Sequence, residues 1–99
     1  MAYLRIELGT GWVGEEEVRY YHIPAGFDWT ESDYKIFEQI CLDHAESYGR
    51  EYSDWCDENC CDPDSDDYWT EYVSSVTDYC CWEIIEDPDM SDGDDYGEW

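Results

Sequence analysis

Lysine and arginine are scarce in this 99-residue sequence, which has four of them, the last at Arg50. Asp and Glu number 28, so the formal net charge is -24, and residues 51–99 contain 18 acids and no base. Affinity for nucleic acids rests on Lys and Arg that neutralise phosphates. The shortage of bases therefore argues against direct binding to DNA or RNA.

Long hydrophobic runs are also lacking. Nowhere do 18 apolar residues follow one another, and the first residues, Met1–Leu8, contain no apolar core of a signal peptide. The sequence thus predicts a cytoplasmic protein without membrane contact. In a reducing compartment its six cysteines are expected to be thiols or metal ligands, because disulfides belong to oxidising compartments.

Aromatic residues make up 18% of the chain, which is too many for a disordered acidic tail. A chain of this length encloses one modest core, so residues 1–99 are expected to form one domain. A compact chain of this size has a radius of gyration near 13 Å, and we therefore expect it to span about 30 to 35 Å.

The first half predicts a hairpin followed by a helix. Residues 3–8 alternate between apolar and polar, residues 9–14 are rich in glycine, and residues 16–23 form a second β-rich run, which together indicate an antiparallel hairpin. Thr30 followed by Asp33 is typical of a helix N-terminus. Apolar residues then recur at spacings of three and four, predicting an amphipathic helix over about 30–48 that ends at Gly49.

The second half is expected to complete an α+β fold. Residues 50–67 predict a loop, residues 68–77 favour a second, acidic helix slightly over a strand pair, and residues 79–85 predict a late strand that completes a small sheet. Residues 87–99 are interpreted as an irregular acidic tail. The predicted core is Leu4, Ile6, Leu8, Phe37, Ile40, Val73, Ile84 and Ile85.

The acids of the second half are the strongest functional signal. Duplex DNA carries one charge per about 1.7 Å of its axis, so a molecule of the expected length corresponds to about 18 to 20 phosphates. Carboxylates at that density would compete with DNA for a basic channel. Interleaved aromatic residues would add the buried anchors that interfaces favour, among them Trp55, Trp69, Tyr72, Tyr96 and Trp99. The predicted partner-binding residues are Asp62, Asp64, Asp66, Asp67, Glu71, Asp78, Asp87, Asp89, Asp92, Asp94, Asp95, Glu98, Trp69 and Trp99.

In size and charge the chain resembles the small acidic DNA-mimic inhibitors that phages encode against restriction and CRISPR systems. The resemblance rests on the absence of bases after Arg50 and on the acidic runs 62–67 and 87–95, and it includes no diagnostic motif. It implies a stoichiometric inhibitor whose partner is a basic nucleic-acid-binding protein or ribonucleoprotein. A solvated acidic surface that serves only solubility is the plainer interpretation.

The main alternative is a metal-stabilised interaction module with a generic acidic surface. Asp62, Asp64 and Asp66 have the spacing of a calcium loop, but Asp67 and Val73 occupy positions where the loop needs Gly and Glu. Cys56, Cys60 and Cys61, with Cys80, Cys81 or His44, offer soft zinc ligands without the usual paired spacing. Buried structural cysteines are the favoured interpretation, and no cofactor is expected.

Catalytic patterns are weak. Cys41 and His44 lie three residues apart on the predicted helix, as a thiol and its base would, but both belong to the apolar stripe that should pack in the core. Gly9, Gly11 and Gly14 match the spacing of a dinucleotide-binding loop, yet three glutamates follow them where a pyrophosphate would have to bind. The prediction is therefore a binding protein and not an enzyme.

Overall fold

The computed structural model describes residues 2–99 and shows a four-stranded mixed sheet with three helices, the α+β fold that the sequence predicted. The strand order in the sheet is β3-β1-β2-β4. In chain order the elements are β1 (Ala2–Leu8), β2 (Glu17–Ile23), α1 (Glu31–Ser47), α2 (Tyr52–Glu58), α3 (Trp69–Thr77), β3 (Cys81–Glu86) and β4 (Asp94–Glu98).

The hairpin of β1 and β2 forms the centre of the sheet. The two strands are antiparallel, with Leu4 opposite Tyr21 and Ile6 opposite Arg19. Because successive side chains of a strand point to opposite faces, Leu4, Ile6 and Leu8 share one face, and there they are buried under the helices. The alternating pattern thus predicted both the strand and the face that it buries.

Helix α1 begins at a capping box. The Thr30 hydroxyl accepts a hydrogen bond from the Asp33 amide at 3.3 Å, and the Asp33 carboxylate accepts one from the Thr30 amide at 2.9 Å. The helix buries Phe37, Cys41 and Ala45 at the predicted spacing. Gly49, with φ of +75°, follows the helix in the left-handed conformation that glycine adopts at little cost.

The segment that was expected to be a loop contains α2, and the prediction of a loop over all of residues 50–67 was wrong. Its aromatic residues explain the helix, because Tyr52 and Trp55 are one turn apart and both pack on Tyr72 of α3, with ring centroids 5.4 and 5.9 Å away. Residues 69–77 are helical, as favoured over the strand pair. Tyr72 is 1% exposed and lies within this aromatic cluster.

The expected irregular tail contains β4, which pairs in parallel with β2. It extends the sheet because Trp99, just after it, is held at both ends: its amide donates to the His22 carbonyl at 3.0 Å and its indole to Asp33 at 2.8 Å. The predicted strand over 79–85 corresponds to β3. Ile84 was wrongly assigned to the core: it lies on an edge strand and is 43% exposed.

The segment 87–93 connects the two outer strands across the face of the sheet that the helices leave open. Asp92 accepts hydrogen bonds from Arg5 and from the hydroxyl of Tyr20, whose side chain is 2% exposed. Gly93 packs against β2, where a Cβ atom would lie 2.6 Å from the Val18 carbonyl oxygen. The bonds from Tyr20 and then Arg5 lower the pKa of Asp92, because they favour its charged form.

We expect Asp92→Ala to lower the melting temperature by several degrees at pH 7, since it leaves the Tyr20 hydroxyl without its acceptor and removes one of the three carboxylates that contact Arg5. A carboxylate with a lowered pKa stabilises the fold above its unfolded pKa of about 3.9 and loses that effect as pH falls. The deficit of the variant should therefore shrink toward pH 3. Melting curves at both pH values test this, with Asp89→Ala as the charge-matched control. An equal loss in the control would contradict it.

Candidate functional site

The predicted acidic side chains all lie at the surface. We call the twelve of them the acidic surface: Asp62, Asp64, Asp66, Asp67, Glu71, Asp78, Asp87, Asp89, Asp92, Asp94, Asp95 and Glu98. Every one is exposed, as are the other six acids of residues 51–99. The five half-buried acids of the chain all fall in the first half. The carboxylates of the second half therefore face solvent.

The molecule is longer than the sequence-based estimate. Its principal extents are 46 × 29 × 17 Å and its radius of gyration is 15.0 Å, against about 13 Å for a compact chain of this length. The estimated span of 30 to 35 Å was too short. A net charge of -24 along 46 Å gives one charge per about 1.9 Å, close to the one per about 1.7 Å of duplex DNA.

The acidic surface has three parts, which belong to different elements. Asp62–Asp67 lie in the loop between α2 and α3, and this loop is fixed where the Tyr52 hydroxyl donates to the Ser65 carbonyl at 2.5 Å. Glu71 lies on α3, and Asp78 is its C-cap. The remaining acids lie in the 87–93 segment and on the edge strand β4.

Asp92 and Asp95 bind side chains of the central strands β1 and β2. Asp92 binds Arg5 and Tyr20, and Asp95 lies 2.7 Å from the His22 ring. A bond from the Gly97 amide, followed by the contact with His22, lowers the pKa of Asp95. These two carboxylates hold segment 87–93 and β4 on the sheet, so they carry a structural role beside any role in binding.

Three of the four bases are neutralised by carboxylates. Arg5 contacts Glu7, Glu83 and Asp92. Arg19 contacts Glu17 at 2.6 Å. Arg50 contacts Glu15 at 3.4 Å. Each of these arginines also lies over an aromatic ring. Their charges are therefore compensated locally and leave the acids to dominate the field around the molecule.

The two aromatic residues of the predicted partner-binding set differ in accessibility. Trp69 is 43% exposed, beside Tyr52 and Tyr72. Trp99 is half-buried. It packs edge-on against Tyr21, stacks on Trp29 and donates a hydrogen bond to Asp33, so it contributes to the fold. Sequence reasoning missed Trp12 and Tyr79, which are 60% and 57% exposed. Trp12 stands in a glycine-rich turn, which was the available signal for an exposed aromatic residue.

The proposed metal ligands are not brought together. Within residues 2–99 no three His, Cys, Asp or Glu side chains are arranged to hold a metal ion. All six cysteines are free thiols, and Cys41 and Cys56 are buried. Neither the acidic sequence 62–67 nor the cysteine set gathers the ligands of a calcium or zinc site.

Cys41 and His44 do not form a nucleophile and base. Cys41 is fully buried beside Cys80, and the hydrogen bond between these thiols, together with burial, raises the pKa of Cys41. The Nε2 atom of His44 lies 2.7 Å from the Glu15 carbonyl oxygen, and the side chain is 4% exposed. Both residues pack in the core, as the apolar stripe predicted.

Cys81 is an exposed thiol that should react slowly. It donates to Glu7 at 2.9 Å, and this bond, followed by burial, raises its pKa to about 11. Because the thiolate is the reactive form, we expect Glu7→Gln to speed alkylation of Cys81 by iodoacetamide at pH 8 by at least about tenfold. Site-resolved mass spectrometry measures the rate, with Cys60 as the internal reference. Equal rates in both proteins would show that Glu7 does not control this thiol.

No helix in the described part of the chain is both long enough and apolar enough to span a bilayer. Comparison of the chain with protein-family models, with curated proteins and with solved structures found no match.

Proposed function

We propose that this protein is a stoichiometric inhibitor that occupies the basic nucleic-acid channel of a defence nuclease, such as a CRISPR effector or a restriction enzyme. The observation that supports the proposal most is the density of charge, one net negative charge per about 1.9 Å of length, near that of duplex DNA. Carboxylates at this density compete with phosphates for the same Lys and Arg side chains.

The charge predicts how the complex forms. Opposite fields steer the partners together, so association should be fast at low salt and should slow steeply as salt is added. Binding a basic channel also removes the self-repulsion of the free acidic chain. Both effects favour a cationic protein over a neutral one, and the same field repels nucleic acid itself.

The experiment starts with capture. The immobilised protein is exposed to a bacterial lysate and washed with increasing salt, and retained proteins are identified by mass spectrometry. The captured nuclease is then purified and its cleavage activity titrated with the inhibitor. The proposal expects inhibition to be complete near one equivalent and to be relieved by excess DNA or guide RNA.

A disordered polyglutamate of the same net charge is the matched control, since it has the charge without the folded arrangement. It should inhibit much more weakly than the folded protein at physiological salt. Equal inhibition by polyglutamate, or only a mixture of basic proteins that elute together at modest salt, would contradict the proposal.

A further inference from the structure

A cleft of about 300 Å³ lies where the turn of the β1–β2 hairpin meets α2 and the end of α3. Four aromatic residues line it: Trp12, Trp55, Tyr72 and Tyr79. This volume is at the lower end of ligand sites, so it suits one side chain and not a nucleotide pair. No residue of the cleft belongs to the acidic surface.

The inner wall of the cleft is rigid. Tyr72 is 1% exposed, its hydroxyl donates to the Arg50 carbonyl at 2.8 Å, and its ring lies 5.9 Å from that of Trp55. Tyr79 lies close against the hairpin turn, where a Cβ atom on Gly11 would be 2.8 Å from the Tyr79 ring. The cleft is therefore formed before any partner arrives, which lowers the entropic cost of binding.

Carboxylates stand along one side of the cleft. Glu51 is the N-cap of α2, and Asp54 and Glu58 follow at spacings of three and four, which place them on one face of the helix. All three are exposed. None forms an ion pair with an Arg, Lys or His of residues 2–99. Their charge is thus uncompensated within the described chain.

Arg50 is the one base that lines the cleft. Its Cζ atom lies 4.9 Å from the centroid of the Trp12 ring, and its guanidinium contacts Glu15 at 3.4 Å. Three carboxylates against one guanidinium leave the lining negative, which disfavours an anionic ligand. The Arg50 contact also demonstrates that a guanidinium packs on this tryptophan.

We propose that the cleft receives an arginine side chain of the basic partner. A guanidinium stacks on aromatic rings and bonds carboxylates through two parallel N–H groups, and the cleft offers both kinds of group side by side. An arginine inserted there becomes a buried anchor of the contact, beside the carboxylates of Glu51, Asp54 and Glu58. This inference rests on the proposed function and adds to it the site that fixes the register of the partner.

The test uses the full chain and two defined probes, N-acetylarginine amide and a hexaarginine peptide. In NMR titrations, N-acetylarginine amide should shift the indole signals of Trp12 and Trp55 more than those of Trp29 and Trp82, which stack on each other 3.9 Å apart and do not line the cleft. N-acetyllysine amide should bind more weakly, because its ammonium cannot stack as a plane.

The variant Asp54→Asn/Glu58→Gln removes two charges from the cleft, and Asp28→Asn/Glu86→Gln removes two exposed charges that do not line it. Affinity for hexaarginine should fall at least about tenfold in the first variant and no more than about twofold in the second. Tyr79→Ala should weaken binding without changing charge. Equal losses of affinity in the two charge variants would contradict the proposal that the cleft binds arginine.

Inhibition of the captured nuclease separates the two proposals. If the cleft variant inhibits as well as its control, the cleft proposal fails while the inhibitor function stands. If arginine binds the cleft as described but no nuclease is inhibited, the inhibitor function fails while the arginine site stands.

Discussion

Replacing Asp62, Asp64, Asp66 and Asp67 together with Lys should weaken inhibition of the captured nuclease by at least about a hundredfold. Each reversal adds two units, so the net charge changes from -24 to about -16. Exposed ion pairs contribute about 0.2 to 1 kcal/mol each, and here every lost attraction also becomes a repulsion. Four such changes in one loop therefore sum to several factors of ten in affinity, at about 1.4 kcal/mol per factor.

This loop is the best place for the charge reversal because its carboxylates make few hydrogen bonds that stabilise the fold. The conformation of the loop is held mainly through its backbone, as where the Ser65 carbonyl accepts a hydrogen bond from the Tyr52 hydroxyl. Asp62 accepts one local bond from the Asp64 amide at 3.0 Å. By contrast, Asp92 and Asp95 hold the sheet, and changing them would confuse binding with folding.

The measurement is a titration of nuclease activity at several salt concentrations. The fourfold Asp→Asn variant of the same loop should give an intermediate loss, and both variants should retain the circular dichroism spectrum of the parent. The salt dependence of inhibition should become shallower as charges are removed. Unchanged inhibition by a folded fourfold Lys variant would remove this loop from the contact.

The first half of the fold was predictable because its signals are local. The alternation of Leu4, Ile6 and Leu8 sets a strand and its buried face, and Thr30 with Asp33 sets the helix start. Each depends on residues within a few positions of one another. No distant partner is needed to explain them.

The second half depended on contacts between distant residues. Strand β4 is rich in acids and contains Gly97, and it forms because it pairs with β2 and because Trp99 binds His22 and Asp33. Ile84 has an apolar side chain in a strand pattern, but its place at the edge of the sheet leaves it exposed. Neither the pairing nor the strand order is encoded in a local pattern.

The candidate site divides in the same way. Exposure of the acids followed from their charge alone, since isolated carboxylates are costly to bury. The aromatic cleft did not follow, because its walls come from Trp12, Trp55 and Tyr79 in three separate segments. The three residues form one cleft only when the tertiary fold brings their segments together.

Tyr72→Ala should destabilise the protein by about 3 to 5 kcal/mol, the usual cost of removing a large buried aromatic ring. Tyr72 contacts the rings of Tyr52, Trp55 and Trp69 and is 1% exposed, so its removal leaves a gap among these rings. A small domain has only about 5 to 15 kcal/mol to lose, and here charge repulsion already opposes the compact state. The variant should therefore be largely unfolded at 37 °C in low salt.

Two further variants divide this effect into parts. Tyr72→Phe keeps the ring but removes the bond from its hydroxyl to the Arg50 carbonyl, which should cost about 1 kcal/mol. Tyr79→Ala removes a ring that is 57% exposed and should change stability by no more than about 0.5 kcal/mol. Urea unfolding at low and high salt measures all three, and a milder effect of Tyr72→Ala than of Tyr79→Ala would contradict this account of the core.

Added salt should stabilise the folded state, whereas alkaline pH should destabilise it. Added NaCl screens the repulsion among the acids, so it should restore part of the folded population of Tyr72→Ala. Burial raises the pKa of Tyr72 to about 12, above the value near 10 of an unfolded tyrosine. That contribution to stability is complete below about pH 10 and is lost as the pH rises toward 12, so the parent should weaken in this window while Tyr72→Phe lacks this part of the loss.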